Sequence, residues 1–134
     1  MKIDFAHRHA SLKDVLLDKS LAKIGDAFVN FVFSLAVSNK QASPTNVRVS
    51  SDILSEALKR TGHRKQLPSR SDRHQQGDAV EALIIYSWLE GGISLEECVS
   101  ILQQKADIPV DAFTDLITTI IGRLDLKRES DEDS

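Results

Sequence analysis

Asp78 and Glu81 stand three residues apart, a spacing that on a helix puts both carboxylates on one face, about one turn from each other. With 3.6 residues per turn, Ile85, Trp88 and Leu89 share that direction, so the two acids open a stripe that continues as core. A third acid, Asp26, lies inside another apolar run, between Leu21 and Val37. All three are therefore expected to be buried. An ionised carboxylate without a partner in a dry interior is strongly unfavourable, so such groups are paired, protonated, solvated in a cleft or bound to a cation. One account gives each acid its own salt bridge or helix cap. The other gathers Asp26, Asp78 and Glu81 into a shared site for Mg²⁺ or Mn²⁺, ions that prefer hard oxygen ligands; Mg²⁺ keeps several waters and needs few carboxylates.

Two long helices must position these groups. Leu21, Ile24, Phe28, Phe31 and Leu35 recur at alternating steps of three and four, which marks a helix face. Val29, Val32, Phe33, Ala36 and Val37 make the other sides apolar as well, so a central helix is expected. The second runs from about Arg73 to Glu90 and is apolar all round. Gly91-Gly92 ends it, and Ser94 with Glu97 forms a capping box for the next helix, with Ile93 and Cys98 as its hydrophobic staple. A helix over 50–61 has Ser50 or Ser51 as its cap, with Lys59 and Arg60 in its last turn and Gly62 as its stop. A short helix near Leu12 to Leu17 and a last one from Pro109 complete the set. No segment alternates with period two, so the fold class is all-α, a single-domain helical bundle. Residues 1–126 are assigned to that domain and 127–134 to a polar, disordered tail.

The chain has 134 residues, 41% of them hydrophobic, which suits one core. Its single cysteine, Cys98, favours a reducing compartment and leaves metal chemistry to carboxylates and histidines. Neither a signal peptide nor a stretch of membrane-spanning length is read from the sequence, which leads to a cytoplasmic expectation with no membrane partner. Residues 59–74 hold six Lys or Arg against Asp72 alone. That local charge of +5 leaves -8 on the remainder of a chain whose total is -3. Such clustering suits contact with a polyanion, although a solvated loop has the same composition.

The segment Leu21-Ala22-Lys23-Ile24-Gly25-Asp26-Ala27-Phe28 resembles the signature of ribonuclease III, L-E-F-L-G-D-A-V. A second segment, Gly77-Asp78-Ala79-Val80-Glu81-Ala82-Leu83, is similar to that family's D-x-x-E-A-L helix, and Trp88-Leu89-Glu90-Gly91-Gly92 to the turn after it. Order and separation agree, and the resemblance covers most of residues 10–105. It is to the nuclease domain alone, as in the compact and archaeal-type members, with no double-stranded-RNA-binding domain attached. The resemblance implies metal-binding carboxylates at Asp26, Asp78 and Glu81, a Mg²⁺ (or Mn²⁺) cofactor, and a homodimer that hydrolyses phosphodiester bonds of double-stranded or structured RNA. Three departures stand out. Ala22 occupies the position of the fourth family carboxylate, Lys19 that of an earlier signature glutamate, and Lys23 that of an aromatic at the dimer contact. Asp18 lies two turns before Asp26, about 12 Å along a helix axis, too far to replace the missing ligand.

Beyond the carboxylates, Arg64, Lys65, Arg70 and Arg73 are the candidate phosphate contacts, since RNA duplexes are read through backbone, 2′-hydroxyls and shape. His74, one turn before Asp78, and Asn30, one turn after Asp26, are candidates to support the metal ligands. Trp88 and Tyr86 read as core or dimer contacts and Cys98 as a small core residue. Three functions fit these features: a Mg²⁺-dependent endoribonuclease, a catalytically silent relative that binds RNA or helps assemble ribosomes, and a helical protein-interaction module whose acids only form salt bridges.

Overall fold

The computed structural model describes the backbone of residues 3–5 and 8–133, and side chains among these up to residue 125. The elements are α1 (Leu12–Leu16), α2 (Lys19–Gln41), α3 (Ser51–Arg60), a 3₁₀ turn (Arg64–Gln66), α4 (Arg73–Leu89), α5 (Leu95–Gln104) and α6 (Pro109–Asp133). Among the described residues there is no strand.

Local chemistry sets the boundaries. Asp18 caps α2 by accepting from the N–H groups of Ser20 and Leu21, both at 3.1 Å. Ser50 caps α3, and Gly62 follows its end at φ +80°, a left-handed conformation that glycine adopts without a Cβ penalty. Capping boxes open both α4, through Asp72 and Gln75, and α5, through Ser94 and Glu97. Arg123 of α6 reaches back to this second box, donating to the Gly92 carbonyl at 3.0 Å and to the Glu97 carboxylate.

Helix α4 is the axis of the molecule, packed by α2 on one side, α3 on another, and α1 and α6 at its flanks. Its residues from Ala79 to Ser87 are all buried, in keeping with a helix apolar on every side. Helix α2 departs from expectation. The buried set is Leu21, Ala22, Gly25, Val29, Val32, Phe33 and Ala36, whereas Ile24 and Phe31 of the regular apolar stripe are 43% and 52% exposed. A helix apolar on several sides offers α4 a choice of faces. Gly25, with no side chain, lets the α4 side come closest, leaving Ile24 and Phe31 outside.

Two further readings need correction. Helix α2, at 23 residues, does have the length and apolar composition of a membrane span, contrary to the reading that no stretch approaches one; in the fold it packs on α4 and α5. The C-terminal residues expected to leave the domain as a disordered tail carry α6 on to Asp133. No Gly or Pro interrupts the chain from Arg123 to Asp133, so nothing local stops the helix. Ser134 lies outside the described residues.

Candidate active site

The site lies where α2 crosses α4, and Gly25 sets how closely they cross. A Cβ built on Gly25 would lie 2.3 Å from the Glu81 carbonyl oxygen and 3.1 Å from the Glu81 Cβ. Only a residue without a side chain permits that approach. The next residue along α2, Asp26, is thereby brought to the Glu81 side chain, and the two carboxyl groups share a hydrogen bond. Asp78, one turn before Glu81, adds a third acidic group. The structure therefore brings all three acids to one place, but not as equally buried groups. Glu81 is buried at 8% exposure, while Asp26 and Asp78 are exposed. Helical spacing indicates which residues share a face; it does not indicate where an apolar face stops at solvent.

Burial is the largest cause of Glu81's perturbation, followed by its hydrogen bond to Asp26 and the charges of Asp26 and Asp78; together they push its carboxyl up to about 8. At neutral pH Glu81 keeps its proton and donates it to Asp26. That proton relieves carboxylate repulsion that a cation could relieve instead. Among the described residues no three His, Cys, Asp or Glu side chains are drawn into metal-holding geometry. The groups present are a pair of carboxyl oxygen donors, Asp26 and Glu81, with a third carboxylate, Asp78, nearby. This suits Mg²⁺, which takes one or two carboxylates and completes its shell with water.

Asn30 supports Asp26. Its Nδ2 donates to the Asp26 carbonyl oxygen at 2.8 Å and to Oδ1 at 3.2 Å, and its own Oδ1 accepts from the Val49 N–H at 2.7 Å. The same helix face continues this pattern. Ser34 Oγ accepts from the Val47 N–H at 2.9 Å and donates to its carbonyl at 3.1 Å; Ser38 Oγ does the same with Thr45, at 2.9 and 3.3 Å. Residues 45–49 are thus an extended strap zipped along α2 by side chains four residues apart. The Asn30, Ser34, Ser38 spacing is visible in the sequence, although the strap as its partner is not.

The remaining candidates separate. His74 is exposed and faces Ser51 Oγ at 3.5 Å. Arg73 pairs with Asp52 at 2.9 Å in the open. Arg64, Lys65 and Arg70 are exposed and make no ion pair among the described residues. Their segment is anchored by buried Leu67 and by Gln76 Nε2, which donates to the Ser71 carbonyl at 3.0 Å. Ala22 is buried in the core.

The family model for ribonuclease III matches residues 19–125. The chain belongs to the ribonuclease III family. That match spans both acidic segments and the whole α2–α4 crossing, so the all-helical fold and the family agree. No curated protein sequence gave a match. Within the ribonuclease III fold of this chain, the two Gly-Asp-Ala segments share a local logic. Gly25 lies against Glu81 of α4, and Gly77 against Ser51 of α3, where an added Cβ would be 3.2 Å from the Ser51 Cβ. In each, the glycine allows a close helix contact and the aspartate beside it emerges at the rim.

Proposed function

We propose that this ribonuclease III-like chain is a divalent-metal-dependent endoribonuclease acting on double-stranded or structured RNA as a homodimer. The observation that carries this reading is the Asp26–Glu81 carboxyl pair at the Gly25 crossing, with Asp78 one turn away. Asp26 and Glu81 would hold Mg²⁺ (or Mn²⁺), with Asp78 contributing directly or through water. When bound, such an ion polarises a phosphodiester, lowers the pKa of a water and stabilises the departing oxygen. Glu81 must yield its proton for the pair to act as a dianion. Asn30 holds the Asp26 carboxylate in place while that charge changes. Arg64, Lys65 and Arg70 offer phosphate contacts, Arg70 from the same cavity as Asp78.

The dimer reading rests on α2. Its outward stripe of Ile24 and Phe31, with the half-buried Phe28 and Leu35 between and beyond them, leaves large apolar side chains facing solvent. A second copy of the same helix would cover them.

Incubating the protein with a labelled RNA duplex, with and without Mg²⁺, tests the activity. Metal-dependent cutting that falls by about two orders of magnitude or more in Asp78→Asn and Glu81→Gln is expected. The second reading, a silent RNA-binding relative, draws on Ala22, which presents a core methyl where the family signature has a carboxylate. Tight duplex binding with no cutting under any divalent metal would select it.

A further inference from the structure

A cavity of about 300 Å³ opens beside Asp78, between the α1–α2 junction, the loop before α4 and the first turns of α4. Its apolar wall is made by Leu16, Leu17, Leu67 and Pro68, and its polar side includes Lys19, Arg70 and Asp78. Most of the other polar groups there are committed. Asp18 caps α2 and bonds His9 Nε2 at 2.8 Å, and the Gln75 side chain accepts from the Asp72 N–H. Lys19 and Arg70 are not. Neither makes an ion pair among the described residues, although both line the same cavity as an exposed carboxylate. Lys19 also stands in the first turn of a 23-residue helix that has no acid in that turn. A cation there opposes the helix macrodipole, so helix stability does not account for it.

From these features the geometry points to a nucleotide pocket: Lys19 and Arg70 hold a phosphate at the cavity mouth, and the wall of Leu16, Leu17, Leu67 and Pro68 receives one unstacked base. Bases within a duplex are stacked and cannot enter such a cavity, whereas bases at a single-stranded end can be splayed out and bound. The volume is at the lower end of small-ligand pockets, fitting one nucleotide. This rests on the RNA-directed reading of the carboxylate site, and it adds a preference for substrates with an unpaired end within reach of Asp78.

The test is fluorescence anisotropy of the full chain, in EDTA so that no cutting occurs, with a blunt RNA duplex and the same duplex extended by a short unpaired 3′ end. Wild type should bind the extended duplex about tenfold more tightly. Adenosine 5′-monophosphate should compete that advantage away where inorganic phosphate or adenosine alone does so far less. Lys19→Glu and Arg70→Ala should each remove the preference, with Lys13→Glu as the surface-charge control. Glutamate is favourable in a first turn, so Lys19→Glu should fold, and circular dichroism checks both variants. Equal binding of the two duplexes by wild type, or a preference that survives in both variants, would overturn the pocket. Asp78-dependent cutting of the blunt duplex reports on the nuclease reading separately, so either conclusion can fail while the other stands.

Discussion

The pair formed by Gly25 and Glu81 shows how one missing side chain organises a site. Gly25 allows two helices to approach until the Glu81 backbone occupies the space of a Cβ, and that approach delivers the Asp26 carboxyl to Glu81. Gly25→Ala must push α2 away from α4 backbone, which cannot rotate aside as a flexible side chain would. A loss of about 1–3 kcal/mol is expected by chemical denaturation, and metal-dependent cutting should fall further than stability does. An unchanged denaturation midpoint would show that the crossing is looser than described. Asn30→Ala should lower cutting by about 10–100-fold, the usual range for a residue that orients a metal ligand, with faster amide exchange at Val49; a change in exchange alone would make Asn30 an anchor for the strap only. Cys98 offers a contrasting case. It is fully buried, and burial with the nearby Glu97 charge pushes its thiol up to about 11, so iodoacetamide should label it only after unfolding. The three acids were legible in the sequence as a group. Which one is buried was not, because that depends on Gly25 pressing against Glu81, a contact between residues 56 positions apart.

Among the elements, α4 and α2 illustrate where sequence patterning succeeds and where it misleads. Helix α4 is apolar all round and bounded by Asp72 and Gly91, so its extent and central position followed directly. Helix α2 has a clear stripe, Leu21, Ile24, Phe28, Phe31 and Leu35, that reads as its buried face; Leu21 is buried and Phe28 packs on Trp88, but Ile24 and Phe31 point outward. Periodicity records that a face is apolar; it does not say whether the same chain or another covers it. On the proposed dimer, a covering copy of α2 would give this mismatch a physical reason. Phe31→Glu would place a charge in the middle of the stripe without touching the α4 contact. Sedimentation velocity should show a dimer for wild type and a monomer for Phe31→Glu, at equal helix content. A wild-type monomer at micromolar concentration would remove the dimer from the proposal.

For the whole molecule, two carboxyl groups displaced in opposite directions shape stability against pH. Glu97 is held down to about 2 by its hydrogen bond with Arg123 and by the Ser94 N–H. Its contribution is present above its ordinary value of 4.5 and is lost as pH falls towards 2. Glu81 works the other way. Because its folded pKa, about 8, lies above the ordinary 4.5, the folded chain holds a proton that the unfolded chain releases, and stability declines as pH rises between those values. Above about 8 the decline levels off, with Glu81 ionised in both states. Thermal melts should therefore lose Tm on both sides of a mildly acidic maximum. Glu97→Gln should flatten the acid limb and Glu81→Gln the alkaline one. A bound divalent cation must displace the Glu81 proton, so Mg²⁺ should raise Tm more at pH 8 than at pH 6, and hardly at all in Glu81→Gln. Should Mg²⁺ leave the wild-type Tm unmoved at pH 8 while the alkaline limb still follows Glu81, the carboxyl pair would be a proton site rather than a metal site. The silent RNA-binding reading would then account for it better than hydrolysis.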